Sequence, residues 1–369
     1  MKPAALLRRA LLPTFRRLEA RQHVLSYLFL ELTQACNVAC LHCGSDCIRD
    51  TTTPPLARED ILRVMREIAA AQDPGKVMVV LSGGEPLCYP GVCELGAEIH
   101  ALGFPWGMVT NGFAWTEKSF AQAKAAGLGS ITVSLDGFED AHDWLRGRSG
   151  SFQKAIKLLG MLQVDPFYGA MDVITCVNQR NLPHLDAFRD LLQGLGVPSW
   201  RITTIFPIGR AAENPDLQLD ATGFQELMAK VERFRSLGGI QVAFAESAFL
   251  GRHECVVRGE PFFCRAGINI GGVMVNGDIL ACPNIDRRFA QGNIHRDSFM
   301  NIWQHRYQVF RDRRWMKRGQ CSGCKQWRLC QGEAFHLWDP GKNETRLCHF
   351  KHFGLGTERK CVQHKAQVS

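Results

Sequence analysis

Three cysteines, Cys36, Cys40 and Cys43, stand in the spacing C-x3-C-x2-C directly after a short apolar run over residues 27–32. Thiolates are the usual protein ligands of iron–sulfur clusters, and a [4Fe–4S] cluster has four positions to fill. Three cysteines leave one iron open, able to bind a small molecule and pass it an electron. A second concentration of cysteines lies downstream, at Cys255, Cys264, Cys282, Cys321, Cys324, Cys330 and Cys348. The chain holds fifteen cysteines in 369 residues. A disulfide framework that dense belongs mainly to small secreted domains behind a signal peptide. The first twenty residues show no uninterrupted apolar stretch and no small-residue cleavage site. The expected compartment is therefore reducing, the cytoplasm, and the cysteines are for metal.

The elements that must position these residues follow from the apolar pattern. Residues 58–71 read as a helix with Ile61, Leu62, Met65, Ile68 and Ala69 on one face. Residues 77–81 read as a buried strand ending in Ser82-Gly83-Gly84-Glu85-Pro86. Further strands are expected at 106–110, 130–135, 171–177 and 200–206, and helices at 92–102, 117–126, 151–162, 182–195 and 222–237. Six strand-then-helix units imply a parallel sheet with right-handed crossovers. An open doubly wound sheet and a partial barrel both satisfy that pattern. The polar motifs favour a partial (β/α)6 TIM-like barrel, because all of them follow the C-terminal ends of strands. Beyond residue 245 the helical period fades and glycines and cysteines become dense. The expected division is a basic helix over 1–24, a core over 25–245, and a C-terminal unit over 246–369 organised by metal more than by a large core.

The ordered motifs of the N-terminal half resemble the radical S-adenosylmethionine (SAM) superfamily. Besides Cys36, Cys40 and Cys43 they comprise Gly83-Gly84-Glu85 on the second strand, Thr110-Asn111-Gly112 on the third and Ser134-Leu135-Asp136-Gly137 on the fourth, with Arg146 beyond it. The resemblance implies that SAM chelates the open iron of a [4Fe–4S] cluster. Gly83 and Gly84 would let main chain approach the methionine ammonium. Glu85 would offer that ammonium a counter-charge, and Arg146 would pair with the carboxylate in a fork. Asn111 and Asp136 are candidates for the ribose. Ser134 precedes Arg146 by twelve residues, the spacing of SAM-contacting residues in peptide-modifying members. One-electron reduction would then release a 5′-deoxyadenosyl radical that abstracts hydrogen from a substrate. His42 stands where an aromatic is common between the second and third cysteines.

The C-terminal unit resembles a SPASM domain, which carries auxiliary iron–sulfur clusters. The resemblance implies that Cys321, Cys324, Cys330 and Cys348 complete one [4Fe–4S] site, for which a four-cysteine zinc site is the bland alternative. Cys264, Cys282 and an upstream cysteine such as Cys255 would belong to a second. That second site departs from the pattern, since Ala334 stands where a fourth cysteine is expected. It is then open to substrate, closed by a residue such as His336, or empty. One or two auxiliary clusters follow. Cys47, Cys88, Cys93, Cys176 and Cys361 remain, and free cysteine is usually a small buried hydrophobe. Cys176, near the mouth end of the fifth strand, is singled out as a possible hydrogen donor to a substrate radical.

Most enzymes of this type modify peptides, which makes a peptide or small protein the expected substrate. A low-potential donor of flavodoxin or ferredoxin type is the expected reductant, with a separate leader-peptide-binding protein as a further partner. A tetrapyrrole or cofactor-biosynthesis enzyme is the alternative, and an iron–sulfur electron carrier or scaffold without SAM cleavage is the third reading. The net charge of +8 is read as a solvated basic face without nucleic-acid binding. The basic N-terminal helix leaves a mitochondrial-type presequence or membrane-surface contact open, but a helix capping the first strand is preferred.

Overall fold

The computed structural model describes residues 3–355 apart from 247 and 261, so Cys361 lies outside the described residues. Seven strands, β1 (Tyr27–Thr33), β2 (Met78–Gly83), β3 (Trp106–Thr110), β4 (Leu128–Ser134), β5 (Ala170–Val177), β6 (Ser199–Thr204) and β7 (Gln241–Phe244), pair in chain order, each parallel to the next. β2 is covered on both faces, as the consecutive buried residues Val79, Val80 and Leu81 show. The helices are α1 (Pro3–Gln22), α2 (Arg58–Ala71), α3 (Val92–Ala101), α4 (Glu117–Ala125), α5 (Glu139–Arg146), α6 (Ser151–Val164), α7 (Leu185–Gly194) and α8 (Ala221–Leu237). In α2 the stripe Ile61, Leu62, Met65 and Ile68 is buried, as its period requires. Residues at the ends of β1 to β4 and on the loop after β6 border one common cavity. A flat sheet could not bring them together, so the sheet curves into a partial barrel.

Several departures from the sequence pattern have local causes. No helix is expected at α5, whose eight residues are too few to display a period. The helix expected over 182–195 begins with a separate turn, Leu182–His184, with Pro183 in its first positions, where proline is tolerated. The strands β8 (Ile270–Val273), β9 (Asp278–Leu280) and β10 (Gly292–Asn293) are too short to announce themselves. β8 pairs parallel to β1 on its free edge, and β9 and β10 follow antiparallel, so this sheet has ten strands.

The C-terminal segment also has more core than its sequence suggests. Phe299, Trp303, Tyr307, Phe310, Phe335 and Trp338 belong to the same apolar core as the strands. Here burial is carried by aromatics on the short helix α10 (Phe299–His305) and on turns, and by Val257 on the single-turn helix α9 (Glu254–Val257). α1 does not cap β1 as expected. It lies on the C-terminal segment, with Leu12 packed on Phe263 and Ile268 and the Phe15 ring edge-on to Phe263 at 6.0 Å. Arg16 fastens it by donating to the carbonyls of Arg328 and Leu329, each at 2.9 Å. Among the described residues no helix is long and apolar enough to cross a membrane.

Candidate active site

Cys36, Cys40 and Cys43 lie on the loop that leaves β1 and border a cavity of about 320 Å³. Neighbouring strand ends hold that loop in place. The amides of Gly84 and Glu85 donate to the carbonyls of Thr33 (2.7 Å) and Ala35 (3.0 Å), and those of Ala39 and Leu41 donate to Arg146 (3.0 Å) and Leu145 (2.9 Å). From the loop after β6, Arg210 donates to the carbonyls of Cys40 and Cys47 and pairs with Asp46. The Arg210 amide donates to the Cys43 carbonyl at 3.0 Å. That contact needs Gly209, whose φ is +57° and where a Cβ would sit 2.4 Å from the same carbonyl. Arg210 is a clamp whose role its sequence position does not reveal.

Gly83 and Gly84 border the cavity, but the space a Cβ would fill belongs to the cysteine loop. It would fall 2.3 Å from the Thr33 carbonyl oxygen at Gly83 and 2.1 Å from that of Ala35 at Gly84. The glycines therefore join β2 to the cysteine loop, and a contact to a methionine ammonium is a further possibility for their main chain. Glu85 corrects the expectation of a free counter-charge. Its buried carboxylate accepts from the Thr110 hydroxyl (2.7 Å) and the Asn111 amide (2.8 Å) and does not border the cavity. Desolvation raises its pKa. What it positions is Asn111, whose Nδ2 donates to Asn37 Oδ1 at 2.7 Å and lies 3.8 Å from Cys36 Sγ.

Asp136 and Arg146 likewise depart from the expected roles. Asp136 is fully buried, and its Oδ2 accepts from Arg146 Nε (2.7 Å) and Nη2 (2.6 Å), while Oδ1 accepts from the Cys176 amide at 2.8 Å. Burial alone would push this carboxyl up, but Arg146 beside it holds it below the usual carboxylate range. Asp136 has no face on the cavity and so none for a ribose. Arg146 spends two donors on Asp136 and keeps Nη1, which lies 3.7 Å from Cys40 Sγ, so the fork expected for a SAM carboxylate is already half used. Ser134 borders the cavity. Cys176 does not. Its side chain packs with Leu41, Leu145, Ile205 and Leu217, and its Sγ lies within 4.8 Å of a ring nitrogen of His42, which does border the cavity.

The thiols themselves are primed unequally. Burial pushes Cys36 up to about 12 and also raises Cys40, which Arg146 opposes. A hydrogen bond from Cys47 brings Cys43 down, and Cys47 rises correspondingly. Metal binding must then release protons from Cys36 and Cys40. Cys47 borders the cavity too, a neighbour that its spacing four residues after Cys43 could have suggested.

The C-terminal cysteines divide into two groups. Cys321, Cys324, Cys330 and Cys348 all border one small pocket, and four cysteines are the number a four-ligand cluster needs. Cys264 and Cys282 are near enough to interact electrostatically. α9 packs against α8, and its Cys255 borders a separate small cleft with Leu12, Phe249 and Phe262, bordered by neither Cys264 nor Cys282. Ala334 is fully buried among Phe249, Phe262, Leu337 and Leu347, next to Cys264. His336 lies with its ring 4.5 Å from that of Phe206, and its buried Nε2 lacks a hydrogen-bond partner among the described residues. Cys282, with Pro283 and Asn284, forms a wall of the same cavity as Cys36, Cys40 and Cys43. No local signal in the sequence shows that meeting.

Comparison with known proteins agrees with this geometry. Residues 30–192 match the radical SAM superfamily, and residues 264–325 match the SPASM iron–sulfur cluster-binding domain. The chain is 30% identical over 325 residues to the mycofactocin maturase MftC of Mycolicibacterium smegmatis, across 82% of this chain and 76% of that one. It is 26% identical over 326 residues to an AdoMet-dependent heme synthase of Methanosarcina barkeri, across 82% and 89%. Among solved structures, Streptococcus suis SuiB bound to its precursor peptide SuiA superposes with a TM-score of 0.69 at 16% identity, across 90% and 78% of the two chains. The structure of anSMEcpe with bound AdoMet gives 0.66 at 16%, across 85% and 90%, and these two likenesses speak to fold alone. A cavity bordered by three spaced cysteines, a four-cysteine pocket beyond it and a relative this similar over most of its length lead to one assignment: the chain belongs to the radical SAM superfamily, as an enzyme that works with a [4Fe–4S] cluster and SAM and carries auxiliary iron–sulfur ligation in a SPASM domain.

Proposed function

We propose that this enzyme modifies a peptide or small protein, by crosslinking, oxidation or epimerisation. The observation that carries the reading is that Ser134 and Arg146, at the twelve-residue spacing of peptide-modifying members, both border the cavity of Cys36, Cys40 and Cys43. The similarity to a maturase over most of the chain supports it. When bound, the cluster and SAM supply reductive cleavage of the sulfonium and a carbon radical that takes hydrogen from the substrate. Cys36, Cys40 and Cys43 would hold the cluster, and Cys321, Cys324, Cys330 and Cys348 an auxiliary one. Arg146, charge-balanced by Asp136, keeps one donor near Cys40 and thereby favours the thiolate over the thiol. Phe29, Val38 and Val109 line the cavity and limit water around a reactive intermediate. A flavodoxin- or ferredoxin-type donor and a separate leader-binding protein complete the system.

Tetrapyrrole processing is the second reading, and the heme synthase relative favours it. The test is anaerobic incubation of reconstituted enzyme with SAM, dithionite and the short peptide encoded beside its gene. Loss of two hydrogens in the peptide mass, or a one-unit gain in D2O, supports maturation. An unchanged peptide, with iron-coproporphyrin III consumed in its place, would sink it.

A further inference from the structure

We propose that the cleft between α1 and the C-terminal cysteines is the dock of an acidic one-electron carrier protein. The cleft has a volume of about 770 Å³ and is walled by arginines from both sides. Arg16, Arg311 and Arg313 donate to backbone carbonyls, of Leu329, Gly267 and Glu333 among others. Arg17, Arg21 and Arg328 are exposed at its rim. Among the described residues none of these six forms an ion pair with a carboxylate. Asp312, an acidic residue of the wall, is taken by Arg314 at 2.9 Å.

What lies on the cleft wall selects the partner. Cys264 and Cys330 both border it, and Cys330 belongs to the four-cysteine set. Cys282, the neighbour of Cys264, borders the SAM cavity instead, so cysteines stand at both openings. The cleft and the SAM cavity share no lining residue. A substrate under hydrogen abstraction has to reach the SAM cavity, but an electron can be delivered from the other side of the cysteines. A concave basic surface also steers an acidic protein and speeds its encounter. The carrier's reduced flavin loses one electron, becoming the semiquinone, and the cluster at the C-terminal cysteines takes it up. This inference rests on reading Cys321, Cys324, Cys330 and Cys348 as iron–sulfur ligands.

The test uses the reconstituted full chain and a flavodoxin as probe, with Arg17, Arg21 and Arg328 changed together to Glu. Binding is measured by interferometry at low and high ionic strength, and flavodoxin oxidation by stopped flow. The expected result is binding weakened by about tenfold or more at low salt, a flattened salt dependence and a matching fall in electron-transfer rate. Dithionite-driven formation of 5′-deoxyadenosine bypasses the dock and should be unchanged. Unaltered flavodoxin binding in the variant overturns the proposal, as does loss of acidic-peptide binding with flavodoxin binding intact. If the wild type forms no 5′-deoxyadenosine even with dithionite, the radical reading fails, and the binding result still decides the dock.

Discussion

The two cysteine regions are built on opposite principles. Around Cys36, Cys40 and Cys43 the protein supplies the rigidity: ends of β2 and α5 and the loop after β6 grip the cysteine loop through main-chain bonds and Arg210. Around Cys321, Cys324, Cys330 and Cys348 the elements are single turns, such as Gly319–Cys321, Trp327–Cys330 and His349–His352. There the metal must cross-link what the backbone does not. Glu246, His349 and Glu333 form the exception, a buried polar chain behind Cys348 with His349 Nε2 on Glu246 Oε1 at 2.7 Å. The contrast predicts that the SAM site is preorganised, whereas the auxiliary site depends on its cluster for order.

The largest effect should come from removing a ligand at the preorganised site. Cys40→Ala is expected to lower 5′-deoxyadenosine formation by more than about a hundredfold while sparing the auxiliary cluster's absorbance. Retained turnover would break the comparison. Next is Asp136→Asn, which leaves the Arg146 guanidinium buried without its counter-charge. Removing one partner of a buried pair costs about 3–5 kcal/mol, so anaerobic thermal denaturation should show a large fall in Tm, and an unchanged Tm would mean the pair does not hold the site.

A smaller effect is a pH dependence on the C-terminal side. Burial works against the His349 imidazolium, but Glu246 and Glu333 outweigh it and raise its pKa to about 10. A raised pKa stabilises fully below the unfolded value, about 6.5, and the contribution is lost as pH rises through about 10. The denaturant midpoint should therefore fall from pH 7 to pH 10 in the wild type and less so in His349→Gln. The smallest effect is expected at Cys176→Ala, since the residue does not border the cavity. Turnover should survive it, and a specific loss of epimerisation would favour the donor role.

Much of the site was legible because its signals are local. The spacing of Cys36, Cys40 and Cys43 and the strand-end positions of Gly83, Asn111 and Ser134 depend only on periodicity and turn chemistry. Residue type did not reveal direction, however: Glu85 and Asp136 have the right chemistry for SAM, yet both carboxylates turn to Thr110, Asn111 and Arg146. Nor could Cys282 be placed at the SAM cavity, because that meeting depends on β8 joining the edge of β1. The same long-range pairing hid α1 on the C-terminal segment. Cys255 borders a cleft that neither Cys264 nor Cys282 lines, a placement its spacing does not show.

The most direct measurement is Mössbauer spectroscopy of the protein reconstituted anaerobically with iron-57, recorded with and without SAM. Two [4Fe–4S] clusters, about eight irons per chain, are predicted, because Cys264 and Cys282 lack a full ligand set. One iron should shift on addition of SAM, and that shift should vanish in Cys40→Ala. Spectra that SAM leaves unchanged, or about twelve irons in three clusters, would contradict the account.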